Sequence, residues 1–576
     1  MAERIWIVDN EPSSKYPIYT RGNVGEVFPD TVAPLSWTMF GRPGAEPGWR
    51  DAFGRFGVFD SQEFNPDELE ILGVFGGYCY LNVSISRIFG VRVPGLTPEI
   101  VDQTIWGDMP GAPPYRSLAT DESPEHTARV QKTLEWAFTT QELPELRDDQ
   151  RRVRAIREAR PDLTTMSQAE LVERMRSFQP IFRELFSRHL FVTYCSVAVV
   201  GTIAGICEQA LGDPTLAMRL IAGIGDVDSA APSFAMWDLG RLIATSPAVR
   251  KEFDTGIDGL LDRLRGPGEG SGFVRRFEEF IYEYGSRGPN EWEMRCPTWE
   301  TNPELALVGI DRMRLADASG NPGTHQSQLA SEREALAAEV LTKLEAAPEA
   351  HAQMAGALNA AKLFVPGRER TKTTIIKITQ EVRLAAREIG RRMCDLGVFE
   401  RPENIGMFCD DELDDLIASP EKWRQTVLDR EELFARLQSL EPPFIIDGEV
   451  PPLETWKQRD TTPRHVALGT VLEGLAGCPG EATGRARVIL SPFDGQGLEP
   501  GDVLVAPITD PSWTPLFVPA AAVVVDVGAP LSHAVIVSRE LGVPCVVSVT
   551  DATRKIPDGA RVHVDGTRGT VTVLEG

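Results

Sequence analysis

Apolar positions three and four residues apart dominate the chain from about residue 120 to about residue 440. That spacing predicts helices over Ser167–Leu190, Phe273–Tyr284, Ser331–Glu345 and Thr373–Leu396. The first 120 or so residues are rich in Gly, Pro and aromatics and hold few long periodic segments. Beyond about residue 470, short β-rich runs alternate with Gly, Pro and Asp turns. They predict strands over Gly484–Leu490, Asp502–Ala506, Ala521–Val527, Cys545–Val549, Arg561–Val564 and Thr570–Leu574, with one amphipathic helix starting at Ser532. Between the two textures lie Glu441-Pro442-Pro443, Val450-Pro451-Pro452 and a charged run to Pro463, which is linker composition. The expected fold class is multidomain α+β. A large, mainly helical body spans 1–440, a Pro-rich hinge spans 441–470, and a small α/β domain spans 471–576.

Leu190 to Cys207 is free of charge for 18 residues, the lower bound for a membrane span. Its Thr, Ser, Tyr and Gly content favours a buried core helix, so no membrane is expected. The 576 residues carry 59 basic and 84 acidic side chains, a net charge of −25, which argues against nucleic acid and anionic lipid as partners. The eight cysteines are scattered without C-x-x-C or Cys/His spacing, so neither structural zinc nor another metal site is expected. Such cysteines read as buried thiols of a cytoplasmic protein.

The sharpest chemical feature is the run Gly528-Ala529-Pro530-Leu531-Ser532-His533-Ala534-Val535-Ile536-Val537. A strand enters a Gly/Pro turn, Ser532 is a good N-cap, and His533 falls in the first helical turn. A neutral imidazole there is nucleophilic. Once phosphorylated, its anionic group would face free backbone N–H donors and the positive end of the helix dipole.

These residues resemble the phosphohistidine, or mobile, domain of the phosphoenolpyruvate-utilising enzymes. The matching pieces are Gly477–Val488, Gly501–Val505, Thr509-Asp510-Pro511, Gly528–Pro544, Asp565-Gly566-Thr567 and Gly569-Thr570-Val571. The resemblance implies that His533 carries a phosphoryl group and that residues 471–576 form a swivelling carrier. Leu531 stands where the dikinases of the family place a regulatory Thr, so no such switch is expected.

No ATP-grasp domain is recognisable in the chain. The stretch from Arg21 to Trp37 resembles the segment after that domain in the rifampin phosphotransferase-like members. The resemblance continues at Gly77–Val83, Arg92–Gly95, Tyr284–Glu291 and Pro297–Trp299. Ser286 stands where the family often has His, so it receives no proton-transfer role. Arg368 and Lys372 are four apart in the run Gly367–Lys372, and on one helical face if the helix includes both. The resemblance implies that these two cations lie near the transferred phosphate. The alternative is a solvated basic helix start.

Arg287 and Glu291, also four apart, are either an internal ion pair or part of the substrate site. Trp37, Trp292, Trp299 and Phe364 suit an apolar pocket or the core, and Trp299 is the one assigned to substrate. The base for the acceptor hydroxyl is left open, with Glu26 and Glu291 among the carboxylates available. The implied function resembles the carrier and acceptor subunit of phenylphosphate synthase and the alkylphenol-phosphorylating enzymes. A separate ATP-grasp subunit would supply the β-phosphoryl of ATP, and a small phenolic hydroxyl would receive it. Mg²⁺ would accompany ATP on that partner, with no prosthetic group here. Rifampin as acceptor and a non-catalytic scaffold are the alternatives.

Overall fold

The periodic apolar positions do form helices, and the β-rich runs do form one sheet. The computed structural model describes residues 5–106, 111–266, 268, 270–315, 321–492, 497–529 and 532–575. Leu531 lies outside the described residues. By contacts the chain divides into two units, one of residues 1–197, 292–296 and 371–460, the other of residues 198–291, 297–370 and 461–576.

The first unit carries an antiparallel sheet of β1 (Ile18–Thr20), β2 (Leu72–Phe75), β3 (Tyr78–Asn82) and β4 (Ile445–Asp447), in the order β2-β3-β1-β4. None of these strands is marked by alternation in the sequence. They are three to five residues long, and β2 and β3 are buried at nearly every position, which erases the period of two. The strand β4 falls inside the stretch read as a hinge.

The expected helix over Ser167–Leu190 is two pieces, α1 (Gln168–Ser177) and α2 (Gln179–Leu211). A reciprocal capping box between Ser167 and Glu170 starts α1. Pro180, lacking an N–H, sits where a new helix begins. By length and composition α2 could cross a membrane, but half of its apolar window is buried inside the protein. Val199, Ile203 and Cys207, four apart, are fully buried.

The second unit contributes α3 (Ala231–Thr245), α4 (Gly270–Tyr284), α5 (Glu304–Leu315) and α6 (Pro322–Lys343). The long helix α7 (Pro348–Asp395) begins in this unit and ends in the first. Its later part buries Ile375, Ile378, Val382, Ala385, Ile389 and Met393, spaced three and four apart, in the core of the first unit.

The C-terminal strands are β5 (Val471–Glu473), β6 (Leu475–Cys478), β7 (Glu481–Val488), β8 (Val503–Ala506), β9 (Ala522–Val525), β10 (Cys545–Val547), β11 (Arg561–Asp565) and β12 (Thr570–Glu575). They form one eight-stranded sheet in the order β5-β12-β11-β7-β8-β9-β10-β6. The central run β7-β8-β9-β10 is parallel, and the flanking pairs are antiparallel. The helix α8 (His533–Leu541) makes the crossover from β9 to β10. Gly542, in the left-handed conformation at φ 70°, ends it.

Only Gly474 separates β5 from β6, yet these strands stand at opposite ends of the strand order. The sheet therefore curls until its ends meet. A Cβ at Gly474 would stand 2.6 Å from the Val547 carbonyl oxygen, so glycine is required at the seam. Two buried clusters fill the faces of this sheet, one around Leu504, Val523, Val535 and Phe517, the other around Val505, Val524, Val562 and Val571.

Asp526, at the end of β9, accepts hydrogen bonds from the Thr553 N–H and hydroxyl. Burial nonetheless pushes its carboxyl up to about 6 from 3.8. A carboxyl with a raised native pKa binds its proton more tightly folded than unfolded, so its contribution to stability falls as pH rises from about 4 to about 6. Asp526→Asn, which keeps both bonds, is expected to raise stability at pH 7 by up to about 3 kcal/mol. Urea titrations should show that gain shrinking as pH drops below about 6.

Candidate active site

Because β8 and β9 are parallel, the loops that leave their carboxyl ends open on the same edge of the sheet, where α/β sites commonly form. The β9 loop delivers Ser532 and His533, and the β8 loop delivers Thr509 to Thr514. Ser532 holds the extended N-cap conformation, but its hydroxyl makes no capping bond and is buried without a partner among the described residues. His533 occupies the first position of α8 and is half-buried.

The imidazole is held at both nitrogens. Thr509 Oγ1 lies 3.1 Å from Nδ1, and Thr514 Oγ1 lies 3.1 Å from Nε2. Phe517 meets the ring edge-on, with centroids 5.8 Å apart. A hydroxyl can donate or accept, so the pair fits either neutral tautomer.

Asp510, next to Thr509, caps the short turn Pro511–Trp513 by accepting from the Ser512 N–H and hydroxyl through one oxygen. Its other oxygen accepts the Asn290 N–H at 2.9 Å. Burial, and further the neighbouring charge of Glu291, push this carboxyl above its ordinary value, and its hydrogen bonds oppose that.

The segment 284–291 is therefore joined to the β8 loop. Within it, the Arg287 guanidinium bonds both oxygens of Glu291 at 3.0 Å, and both side chains are 2% exposed. Burial opposes the guanidinium charge, but Glu291, with Asp228 and Glu369, outweighs it and raises the Arg287 pKa. Of the two readings of this pair, the internal ion pair is the one observed. The Trp299 backbone N–H donates to the Arg287 carbonyl. The Trp299 ring is 1% exposed against Phe280, in the helical core. A Cβ at Gly288 would stand 2.4 Å from the Pro297 carbonyl oxygen, so this tight contact also needs glycine. Ser286 is buried, with no partner for its hydroxyl among the described residues.

Arg368 and Lys372 both lie on α7, so the helix includes the pair. Arg368 belongs to the second unit and bonds Glu369 at 2.8 Å, and Glu369 in turn accepts the Ser229 hydroxyl. Lys372 belongs to the first unit and is half-buried. Glu26 is in the first unit, half-buried in a short helix.

The residues brought together around His533 to which spacing assigns no role are Thr509, Asp510, Thr514 and Phe517. The Thr509-Asp510-Pro511 match is their one visible signal. On the same helix as His533, Arg539 is 1% exposed, and its guanidinium nitrogens have no hydrogen-bond partner among the described residues. Burial, partly offset by Glu540, lowers its pKa. Glu540 accepts the Gly225 N–H and anchors the far end of α8.

Among the described residues, Asp60, Glu63 and His126 bring ligand atoms within 4.8 Å of one another. Arg129 already pairs with Asp60 and Arg92 with Glu63, which makes this an ion-pair cluster ill suited to a cation. His189 meets Thr371 at 2.9 Å and His563 meets Thr483 at 3.0 Å, both structural placements.

Comparison with known proteins agrees with this geometry. Residues 498–569 match the family described as PEP-utilising enzyme, mobile domain, and residues 188–369 match the rifampicin phosphotransferase fourth domain. The chain therefore carries a PEP-utilising enzyme mobile domain and resembles rifampicin phosphotransferase. It is 31% identical to a rifampicin phosphotransferase of Streptomyces sviceus over 64% of this chain and 42% of that protein. It is 28% identical to one of Bacillus subtilis over 64% of this chain and 42% of that protein. The similarity to the prodigiosin synthesizing transferase PigC of Serratia marcescens is 26%, over 99% of this chain and 64% of that protein. The chain thus spans less than two-thirds of the length of each of these relatives.

Removing one partner of a buried ion pair strands the other charge. Arg287→Met is expected to lower unfolding free energy by about 3–5 kcal/mol. A double variant that also carries Glu291→Met should recover part of the loss, as read from urea midpoints.

Proposed function

We propose that this chain is the phosphocarrier and acceptor part of an ATP-dependent phosphotransferase. The observation that carries the reading is His533 at the start of α8, held at both nitrogens by hydroxyls and joined through Asp510 to the segment that holds Arg287 and Glu291. Helix-start N–H groups stabilise an anionic phosphoryl group on the ring.

In this reading a separate ATP-grasp protein, with Mg²⁺ on the nucleotide, places the β-phosphoryl of ATP on an imidazole nitrogen of His533. ATP and water become AMP and inorganic phosphate, and the acceptor hydroxyl later takes the phosphoryl group and loses its proton. Arg368 and Lys372 neutralise charge on the phosphoryl oxygens during the second transfer. The residues 471–576 move as the carrier on the chain that follows β4, and 1–440 hold the acceptor, in the cytoplasm. Phosphoryl transfer rests on positioning and charge more than on covalent side-chain chemistry, which suits a carrier serving two sites.

A small phenolic hydroxyl is the acceptor we favour, giving an aryl phosphate. A second reading takes a biosynthetic intermediate as acceptor, and it is favoured by the PigC similarity running over 99% of the chain. Rifampicin is a third acceptor, favoured by the names of the relatives matched over 64% of the chain.

With ATP labelled at the β position and an ATP-grasp partner, label is expected on the wild-type chain and none on His533→Ala. Thr514→Val should slow labelling by about tenfold or more, a loss of roughly 1.4 kcal/mol of positioning. Label that persists in His533→Ala, or none on the wild type with any ATP-grasp partner, would reject the reading. A screen of phenols, other small hydroxylated compounds and rifampicin with the labelled chain then separates the acceptors.

A further inference from the structure

The two oxygens of Asp510 do different jobs. One caps the turn that leads to Thr514, inside the carrier loop. The other accepts an N–H from Asn290, 220 residues away in the chain. We infer that Asp510 is the latch that holds the carrier against its acceptor side, a positioning residue that engages the 284–291 segment when His533 is presented there. The inference rests on the carrier reading of His533 and adds the contact that defines one of its two stations.

Three features support it. Asn290 adopts the left-handed conformation at φ 47°, which few side chains other than asparagine tolerate, and its N–H meets Asp510 at 2.9 Å. The Asn290 side-chain oxygen is buried with no partner among the described residues, so that oxygen makes no bond that would account for the conformation. The left-handed backbone is thus matched by the bond its N–H makes to the Asp510 carboxyl. Last, the latch is adjacent to the ring clamp, because Thr509 precedes Asp510 and Thr514 comes after the turn that Asp510 caps. Engaging Asn290 and fixing the imidazole are therefore parts of one rigid loop. When the carrier leaves, Asp510 keeps its cap and gives its free oxygen to water, so release leaves no stranded charge in the carrier.

Asp510→Asn separates the two jobs. Its carbonyl can still cap Ser512, but its amide nitrogen then faces the Asn290 N–H, donor against donor. Hydrogen exchange of the full chain, read by mass spectrometry on the peptide covering 286–299, should rise by about tenfold or more in this variant. Asp510→Ser, which keeps a capping hydroxyl and has no second oxygen, should do the same. Asn290→Gly retains both the N–H and the left-handed backbone and should stay protected. Ser512→Ala should also stay within about threefold of wild type. Labelling of His533 by phosphoramidate, a small chemical donor, should be faster in Asp510→Asn, whose carrier spends more time away from its dock.

Exchange in Asp510→Asn and Asp510→Ser equal to wild type, with urea midpoints unchanged, would overturn the latch. Equal rises in Asn290→Gly and Ser512→Ala would overturn it too, since loosening would then be nonspecific. If exchange rises only in the two Asp510 variants while His533 takes no phosphoryl group in any chain, the latch stands and the carrier reading fails.

Discussion

The organisation of this site depends on one constraint, that the His533 imidazole is held in orientation at both nitrogens without being sealed in. Hydroxyls meet that need where carboxylates would not. A carboxylate on either nitrogen would favour the imidazolium, whereas Thr509 and Thr514 can exchange donor and acceptor roles as the ring changes state. Both threonines come from the β8 loop and the histidine from the β9 loop, so the parallel pairing of these two strands is what brings ring and clamp to one edge. The matched mobile-domain range, 498–569, includes both loops.

The body of the second unit supports that edge with buried charge rather than apolar packing alone. Arg287 with Glu291, and Arg368 with Glu369, each have their attraction strengthened by burial, and each would be costly to break. Such pairs fix backbone positions well. They also mean that Arg287 and Glu291 are committed to one another in this structure.

Much of the sheet was legible from the sequence because its strands are short, β-branched and bounded by turn residues. Ala522–Val525, Cys545–Val547 and Arg561–Asp565 fall inside or within a residue of the expected runs. His533 and its helix were legible for the same reason, since strand, turn and helix start are consecutive. The strand β6 was hidden in the Gly477–Val488 motif, and the sheet of the first unit was hidden by burial on nearly all positions. The helix break at Phe178 was masked by unbroken periodicity on both sides. Of the candidate site, the ion pair at Arg287 could be proposed from its spacing of four. Nothing local could reveal that Asp510 reaches Asn290 or that Trp299 turns into the core, because those contacts depend on how distant segments fold together.

The seam at Gly474 has a consequence for the exposed edges of this domain. A sheet whose two ends stand apart presents unpaired strand edges, an invitation to strand addition and aggregation. Here one glycine lets the chain step from β5 to β6 and brings the two ends of the sheet together, so the end strands are neighbours in space. What the domain presents at its carboxyl edge is then set by the side chains of loops such as Thr509–Thr514.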